Sequence, residues 1–264
     1  MSVKFTILGC GSSAGVPRIG GDWGDCDPSN PRNKRSRCSL LVEQSGASGT
    51  TRIVVDTSPD MREQMLSADV KAIDGVWYTH EHADHTHGID ELRAFYLLQR
   101  KCVPIWADIA TAEMLMARFA YCFTSSAGSG YPPIVTHHLI DHAKALETDG
   151  AGGTLRATPI VLQHGNINAL GFRIGNVAYS PDVNGIGKLA AAQLENLDVW
   201  IVDALRRTPH PSHFSLSETL HWIERLKPKK AIITNMHIDL DYETLVRELP
   251  PHIIPAFDGL TFGD

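Results

Sequence analysis

Residues 79 to 88 read Thr-His-Glu-His-Ala-Asp-His-Thr-His-Gly. Four histidines and two carboxylates in ten positions constrain the fold more than any other stretch. The run follows the apolar segment "GVWYT" and precedes "IDELRAFYLLQR", whose apolar residues fall near helical spacing. The motif therefore sits at a strand–helix junction, where the backbone is held rigid at one end and side chains can be aimed. In an extended chain His80 and His82, two residues apart, face one side. Asp84 and His85 follow in the turn and can serve a neighbouring position. Imidazole suits zinc, iron and manganese, and carboxylate suits the harder end of that range. One cation would not need all four groups, whereas two adjacent cations would. A merely solvated loop is the competing reading, and the H-x-H-x-D-H order weighs against it. Glu81 points between two ligands and is not expected to bind; His87 lies outside the pattern.

The 264 residues are 43% apolar, enough for a full core in one large domain or two small ones. A net charge of −6 argues against extended nucleic-acid binding, although a local basic site stays open. The sequence has no run of about 18 apolar residues, so no membrane span or membrane partner is expected. The opening "MSVKFTILGCGSSAG" reads as a first strand and turn rather than a signal peptide, because Gly9 and Gly11 interrupt its apolar stretch. Five scattered cysteines, an odd number, suit a reducing cytoplasm better than a disulfide framework.

Along the chain, "CSLLVE" and "RIVVD" read as strands, and Pro59 opens a helix. Strand "VPIWA" and helix "ATAEMLMARFAY" follow, then a Gly/Ser/Pro-rich stretch at 124–142 that reads as an insertion or lid. "TLRATPIVLQH", "NALGFRIG" and "NVAYSPD" suggest an antiparallel meander, and "LDVWIVDAL" a buried strand. Ser215 and Glu218 have capping-box spacing before an amphipathic helix. Small meanders followed by strand–helix alternation, twice over, predict an α+β fold: a four-layer αββα sandwich forming one domain over residues 1–264.

More donors wait at strand ends. His164 ends "PIVLQH", Asp182 follows "VAYSPD", and His237 follows "AIITNMH". With the loop they make seven donors, a number that fits two metals sharing one carboxylate. Asp56 ends "RIVVD", either as a carboxylate that orients the loop or as a plain turn residue.

These marks, running across essentially the whole chain, resemble the metallo-β-lactamase superfamily. The resemblance implies His80, His82 and His164 on one metal, and Asp84, His85 and His237 on the other, with Asp182 bridging and Asp56 orienting the loop. "GCGSSAGVP", "NPRNKRSRCSLLV", "PHPSHFSLSET" and "DLDYETL" further resemble the phosphodiesterase branch that contains the phosphoribosyl cyclic phosphodiesterase of phosphonate breakdown. The implied activity is hydrolysis of a small cyclic, nucleotidyl or sugar phosphodiester by a hydroxide bridging two divalent ions, zinc or manganese. Asp84 and His213 are the catalytic candidates, with His210 as the rival histidine. Arg35 and Arg37, from the basic run Arg32–Arg37, would steady the loop or meet a phosphate.

Two departures from the branch stand out. Its members often carry a small structural zinc held by three cysteines and a histidine. Here "GGDWGDCD" keeps Cys26 alone, so no structural zinc is expected. "TNMHID" places Asn235 and Ile238 where relatives show histidines, and His237 becomes a ligand only if strand alternation carries it to the same face. A thioester or other carbonyl-substrate hydrolase of the same fold, and a non-catalytic metal- or nucleotide-binding module, are the alternatives. Oligomeric state is open, a homodimer included.

Overall fold

The structure is a computed structural model describing residues 2–125 and 128–263. Contacts divide the chain into two compact units: residues 1–8, 39–156 and 261–264, and residues 9–38 and 157–260.

The first unit is built on a seven-stranded sheet. Its strands are β1 (Ser2–Gly9), β2 (Ser39–Gly46), β3 (Gly49–Val55), β4 (Gly75–Trp77), β5 (Val103–Ala107), β6 (Val135–Leu139) and β14 (Thr261–Gly263), in the order β14-β1-β2-β3-β4-β5-β6. β2 and β3 form an antiparallel pair, after which β3, β4, β5 and β6 run parallel. Parallel neighbours need crossovers. These carry α1 (Met61–Ser67), α2 (Ala83–Thr86), α3 (Leu92–Gln99), α4 (Ile109–Arg118) and α5 (Ala120–Phe123). Leu41, Val54, Val76 and Ile105 of the sheet pack with Met61, Leu92, Phe95 and Leu115 of the helices. Fully burying each such side chain stabilises the fold by roughly 1.5–3 kcal/mol. On the other face of β4, Trp77 is buried and its Nε1–H donates to Thr148 Oγ1 of β7 (Leu146–Thr148) at 3.1 Å.

The second unit carries β8 (Leu155–His164), β9 (Ile167–Ile174), β10 (Val177–Ser180), β11 (Val199–Asp203), β12 (Lys230–Thr234) and β13 (Ile253–Pro255). The meander predicted for 154–182 is the antiparallel set β8-β9-β10, and β10, β11, β12 and β13 then run parallel. Its helices are α6 (Lys188–Gln193), α7 (Leu216–Leu226) and α8 (Tyr242–Glu248). α7 begins with the capping box read from the sequence: Ser215 and Glu218 exchange side-chain and backbone hydrogen bonds, and Leu216, Thr219 and Ile223 form the buried face.

The stretch read as a lid is only partly loop. Residues 126 and 127 lie outside the described residues, and Val135–Leu139 is β6, paired in parallel register with β5 from Val103↔Val135 to Ala107↔Leu139. Polar His137 and His138 masked that strand in the sequence, since an edge strand needs little apolar character.

Candidate metal centre

In both units the polar residues of interest gather where parallel strands end, the usual address of sites in such sheets. β3 delivers Asp56, which takes a left-handed φ of 65°, a region Asp tolerates better than most side chains. The histidine loop folds back onto this point. Thr57 N–H donates to the His85 carbonyl and Gly88 N–H to the Thr57 carbonyl, both at 2.9 Å. A side chain at position 88 would collide with the Ser58 carbonyl at 2.1 Å, so only glycine permits this approach.

Asp56 is completely buried and accepts three bonds: Thr79 N–H at 2.7 Å, the Thr79 hydroxyl at 2.8 Å, and His85 Nδ1–H at 2.7 Å. Burial pushes its carboxyl above the ordinary range, and the His85 and Thr79 bonds oppose that. The bonds also fix two tautomers. His85 carries its proton on Nδ1, leaving the Nε2 lone pair, which lies 3.6 Å from Asp84 Oδ2. Thr79 gives its only proton to Asp56, so at its 2.9 Å contact with His80 Nδ1 it accepts, and His80 too is protonated on Nδ1 with Nε2 as its basic nitrogen. The His80 ring lies 4.6 Å from that of His82 and 4.3 Å from that of His85. His80 and His82 offer ligand atoms within 4.8 Å of each other. α2 begins inside the motif, earlier than the helix expected near Gly88, so Asp84 and His85 stand on a helical turn with His82 as its cap residue.

In the second unit His164 closes β8. Its Nδ1–H donates to the Ser212 carbonyl at 2.6 Å, so Nε2 is the nitrogen with the lone pair, 3.6 Å from Asp182 Oδ2. An imidazole whose Nδ1–H is held by an oxygen, with Nε2 next to a carboxylate, is a metal-ligand arrangement. Each unit's donors thus fit a divalent cation.

His213 lies beside this pair, its ring 4.6 Å from that of His164. Its Nδ1–H donates to Asp203 Oδ2 at 2.8 Å. Asp203, fully buried at the end of β11, also accepts Val183 N–H at 3.1 Å. Burial pushes the Asp203 carboxyl up, against the pull of His213. The rival His210 has its ring 5.1 Å from that of His213, and its Nδ1 accepts from Ser212. Burial, then the charges of His213 and Arg206, hold its pKa down.

Other expected residues stand elsewhere. The strand alternation that would carry His237 to the ligand face stops early, because β12 ends at Thr234 and Asn235 turns left-handed with φ 60°. Asn235, not His237, meets Asp182, Asp203 and His213, through Nδ2 at 3.4, 3.3 and 3.1 Å. His237 instead lies between Asp239 Oδ1, 3.2 Å from its Nδ1, and the Arg18 guanidinium at its Nε2. Arg35 is buried and donates to the Leu240 carbonyl at 2.7 Å, Asn33 Oδ1 at 3.2 Å and the His237 carbonyl at 3.4 Å. It braces the loop, as one of the two expected roles has it. Arg37 passes near Gly15. Cys26 packs with Val16, Ile238 and Trp23 in a small apolar cluster. His87 is exposed with its ring 5.4 Å from that of Phe119, and the Glu81 carbonyl accepts from Arg118 at 2.6 Å. Asp203, Asn235 and Arg18 were missed by sequence reasoning as site residues. Asp203 ends an apolar run as Asp56 does, a signal that could have found it.

Among the described residues no helix is long and apolar enough to cross a membrane. A diphosphatase from the PhnP family is 35% identical, with a TM-score of 0.89, covering 100% of this chain and 98% of that one. Zinc-bound PqqB from Methylobacterium extorquens has a TM-score of 0.74 at 15% identity, covering 98% and 99%, and so shares the fold alone. An octanoyltransferase of Porphyromonas gingivalis is 30% identical over 261 residues, 98% of this chain, but the chain spans only 51% of that protein's length. The family model of the β-lactamase superfamily domain matches residues 51–238, more than two thirds of the chain. Two sheets with their helices, a donor set in each unit and this match bear out the expected metallo-β-lactamase-like αββα fold: the chain belongs to the β-lactamase superfamily, a family of metallo-hydrolase fold.

Proposed function

We propose that the chain is a dinuclear-metal-dependent hydrolase that cleaves a small phosphodiester of the cyclic, nucleotidyl or sugar-phosphate kind. In this reading His80, His82, Asp84 and His85 of the first unit and His164 and Asp182 of the second hold two divalent cations. When bound, the cations supply Lewis-acid charge to phosphoryl oxygens and bring the pKa of a water toward neutrality.

The remaining work falls to the chain. Asp56 holds His85 directly, and His80 through Thr79, in the ligating tautomer and orientation. Asp84 accepts a proton from the attacking water as its oxygen bonds to phosphorus. The bond from phosphorus to the leaving oxygen breaks, and His213 gives that oxygen the proton held on Nε2. Asp203 fixes the His213 ring through Nδ1 and stabilises its protonated form.

The observation that carries this reading is the His213–Asp203 pair at 2.8 Å, which sets an oriented proton donor beside His164 and Asp182. A tetrahedral phosphoryl group with a poor alkoxide leaving group needs such a donor more than a thioester does, since a thiolate leaves readily without one. The diphosphatase relative at 35% identity supports phosphoryl chemistry as well. The test is a substrate panel on metal-loaded protein: a bis-aryl phosphate, cyclic nucleotides, phosphoribosyl cyclic phosphate, a glutathione thioester and a lactam. Turnover of one or more phosphodiesters is expected, and cleavage of the thioester alone would overturn the assignment.

A further inference from the structure

The turn after β8 packs against the segment that carries His213. Gly165 takes a left-handed φ of 61°, and a Cβ there would meet Ser212 Cβ at 2.9 Å, so glycine lets the two stretches touch. Each stretch holds one imidazole of the proposed reaction: His164 stands just before Gly165, and His213 just after Ser212. The Asn184 side chain reaches both stretches at once. Its Oδ1 accepts Gly165 N–H at 3.0 Å, and its Nδ2–H donates to the Pro211 carbonyl at 2.7 Å. Turning the amide over would set N–H against N–H and oxygen against oxygen, so both roles are fixed by chemistry. The backbone of Asn184 is itself tied to β8, since its N–H donates to the Gln163 carbonyl at 2.9 Å and Gln163 N–H to the Gly185 carbonyl at 3.0 Å. The two stretches then meet in the 2.6 Å bond from His164 Nδ1–H to the Ser212 carbonyl, and Phe214 N–H donates to the Val183 carbonyl at 2.7 Å.

We infer that Asn184 is a positioning residue: its carboxamide clamps the turn after His164 to the segment before His213 and so sets the spacing of the two imidazoles, without touching substrate or ion. Asn184 is half-buried and both its bonds are open to water, so the fold leans on them little. Chemistry is less tolerant, because a misplacement of about 1 Å can slow a reaction by about 10²-fold. The inference deepens the proposed function and rests on it for what the two imidazoles do; the clamp itself is a matter of geometry that the metal-free chain can report.

The experiment compares wild type, N184A and N184D as full chains. N184A removes both bonds. N184D keeps an acceptor for Gly165 N–H but sets an oxygen against the Pro211 carbonyl. Three measurements are made: thermal melts, ¹⁵N–¹H NMR of the metal-free proteins, and steady-state kinetics on a bis-aryl phosphate at saturating metal. Tm should fall by no more than about 4 °C in either variant. In the NMR spectra the His164 Nδ1–H signal should shift and exchange faster with water in both variants, while that of His85, held by Asp56, stays where it is. The Gly165 amide should lose protection in N184A and keep it in N184D. Turnover should drop about 10–100-fold in kcat with KM held within about twofold. Unmoved ring signals overturn the inference whatever the kinetics do, and so does an unchanged kcat. A raised KM with kcat held overturns it too, since Asn184 would then meet the substrate. Should wild type turn over no phosphodiester, the proposed function fails, and the ring signals still decide for or against the clamp. Should N184A fail to fold, N184D is read alone by the same criteria.

Discussion

His213 Nδ1 lies 2.8 Å from Asp203 Oδ2, and Asp203 is wholly buried at the end of β11. The pairing fixes the imidazole by one edge and leaves Nε2 as its working atom. H213A should therefore reduce phosphodiester turnover by about 10²–10⁴-fold, the usual contribution of a positioned proton donor. Metal content should stay unchanged, because His213 is not among the proposed ligands. D203N should lose kcat with KM held, since it removes the orientation and not the ring. Steady-state kinetics beside metal analysis separates these outcomes. A parallel loss of metal in H213A would make it a ligand.

Asp56 governs the histidine loop through three accepted hydrogen bonds. D56N replaces one acceptor oxygen with an NH2 donor, so at least one of the three accepted bonds is lost and a donor is set against a donor. Metal affinity should fall about 10–100-fold, as for other groups that orient ligands. Isothermal titration with zinc measures it. An unchanged affinity would reduce Asp56 to a turn residue.

Asp258 offers a pH test away from the metal ligands. It accepts Cys10 N–H at 3.1 Å, and the Ser36 N–H and hydroxyl at 2.7 Å each. Burial pushes its carboxyl up to about 6 despite those bonds. An unfolded aspartate gives up its proton near ~4. Between these values the folded chain binds more protons than the unfolded one. The stabilising contribution is complete below about pH 4 and is lost as pH rises through about 6. D258N should flatten the pH dependence of unfolding free energy over that window by up to about 1.4 kcal/mol per pH unit. Urea unfolding from pH 4 to 7 measures it, and identical slopes in both proteins would contradict the assignment.

The capping box at Ser215 supports α7, the helix that follows His213. S215A should cost about 1 kcal/mol and lower Tm by roughly 2–4 °C. A melt by circular dichroism checks this, and a shift near zero would mean the cap is redundant.

What the sequence discloses here depends on distance along the chain. The donors between His80 and His85 were legible because a strand end and a helical turn are local, and because alternation in β8 places His164 on the buried side. His213 could be named, but its partner Asp203 could not, since the pairing depends on how β11 and the segment before α7 come together. Asn235 was visible as a departure, yet its place was not. The alternation rule carried His237 inward only by assuming that the strand continued, and the left-handed turn at Asn235 ends it. Arg35 read as either a brace for the loop or a phosphate contact, because a charge run gives no sign of burial; its bonds to three oxygen acceptors favour the brace.

The central claim meets its most direct test in one assay: hydrolysis of a bis-aryl phosphate and of a glutathione thioester, side by side, by metal-loaded protein and by the same protein after chelation. The expected result is phosphodiester turnover that disappears with the metal and returns when zinc or manganese is restored, with little thioester cleavage. Phosphodiester turnover that survives complete metal removal, or thioester cleavage alone, would contradict it.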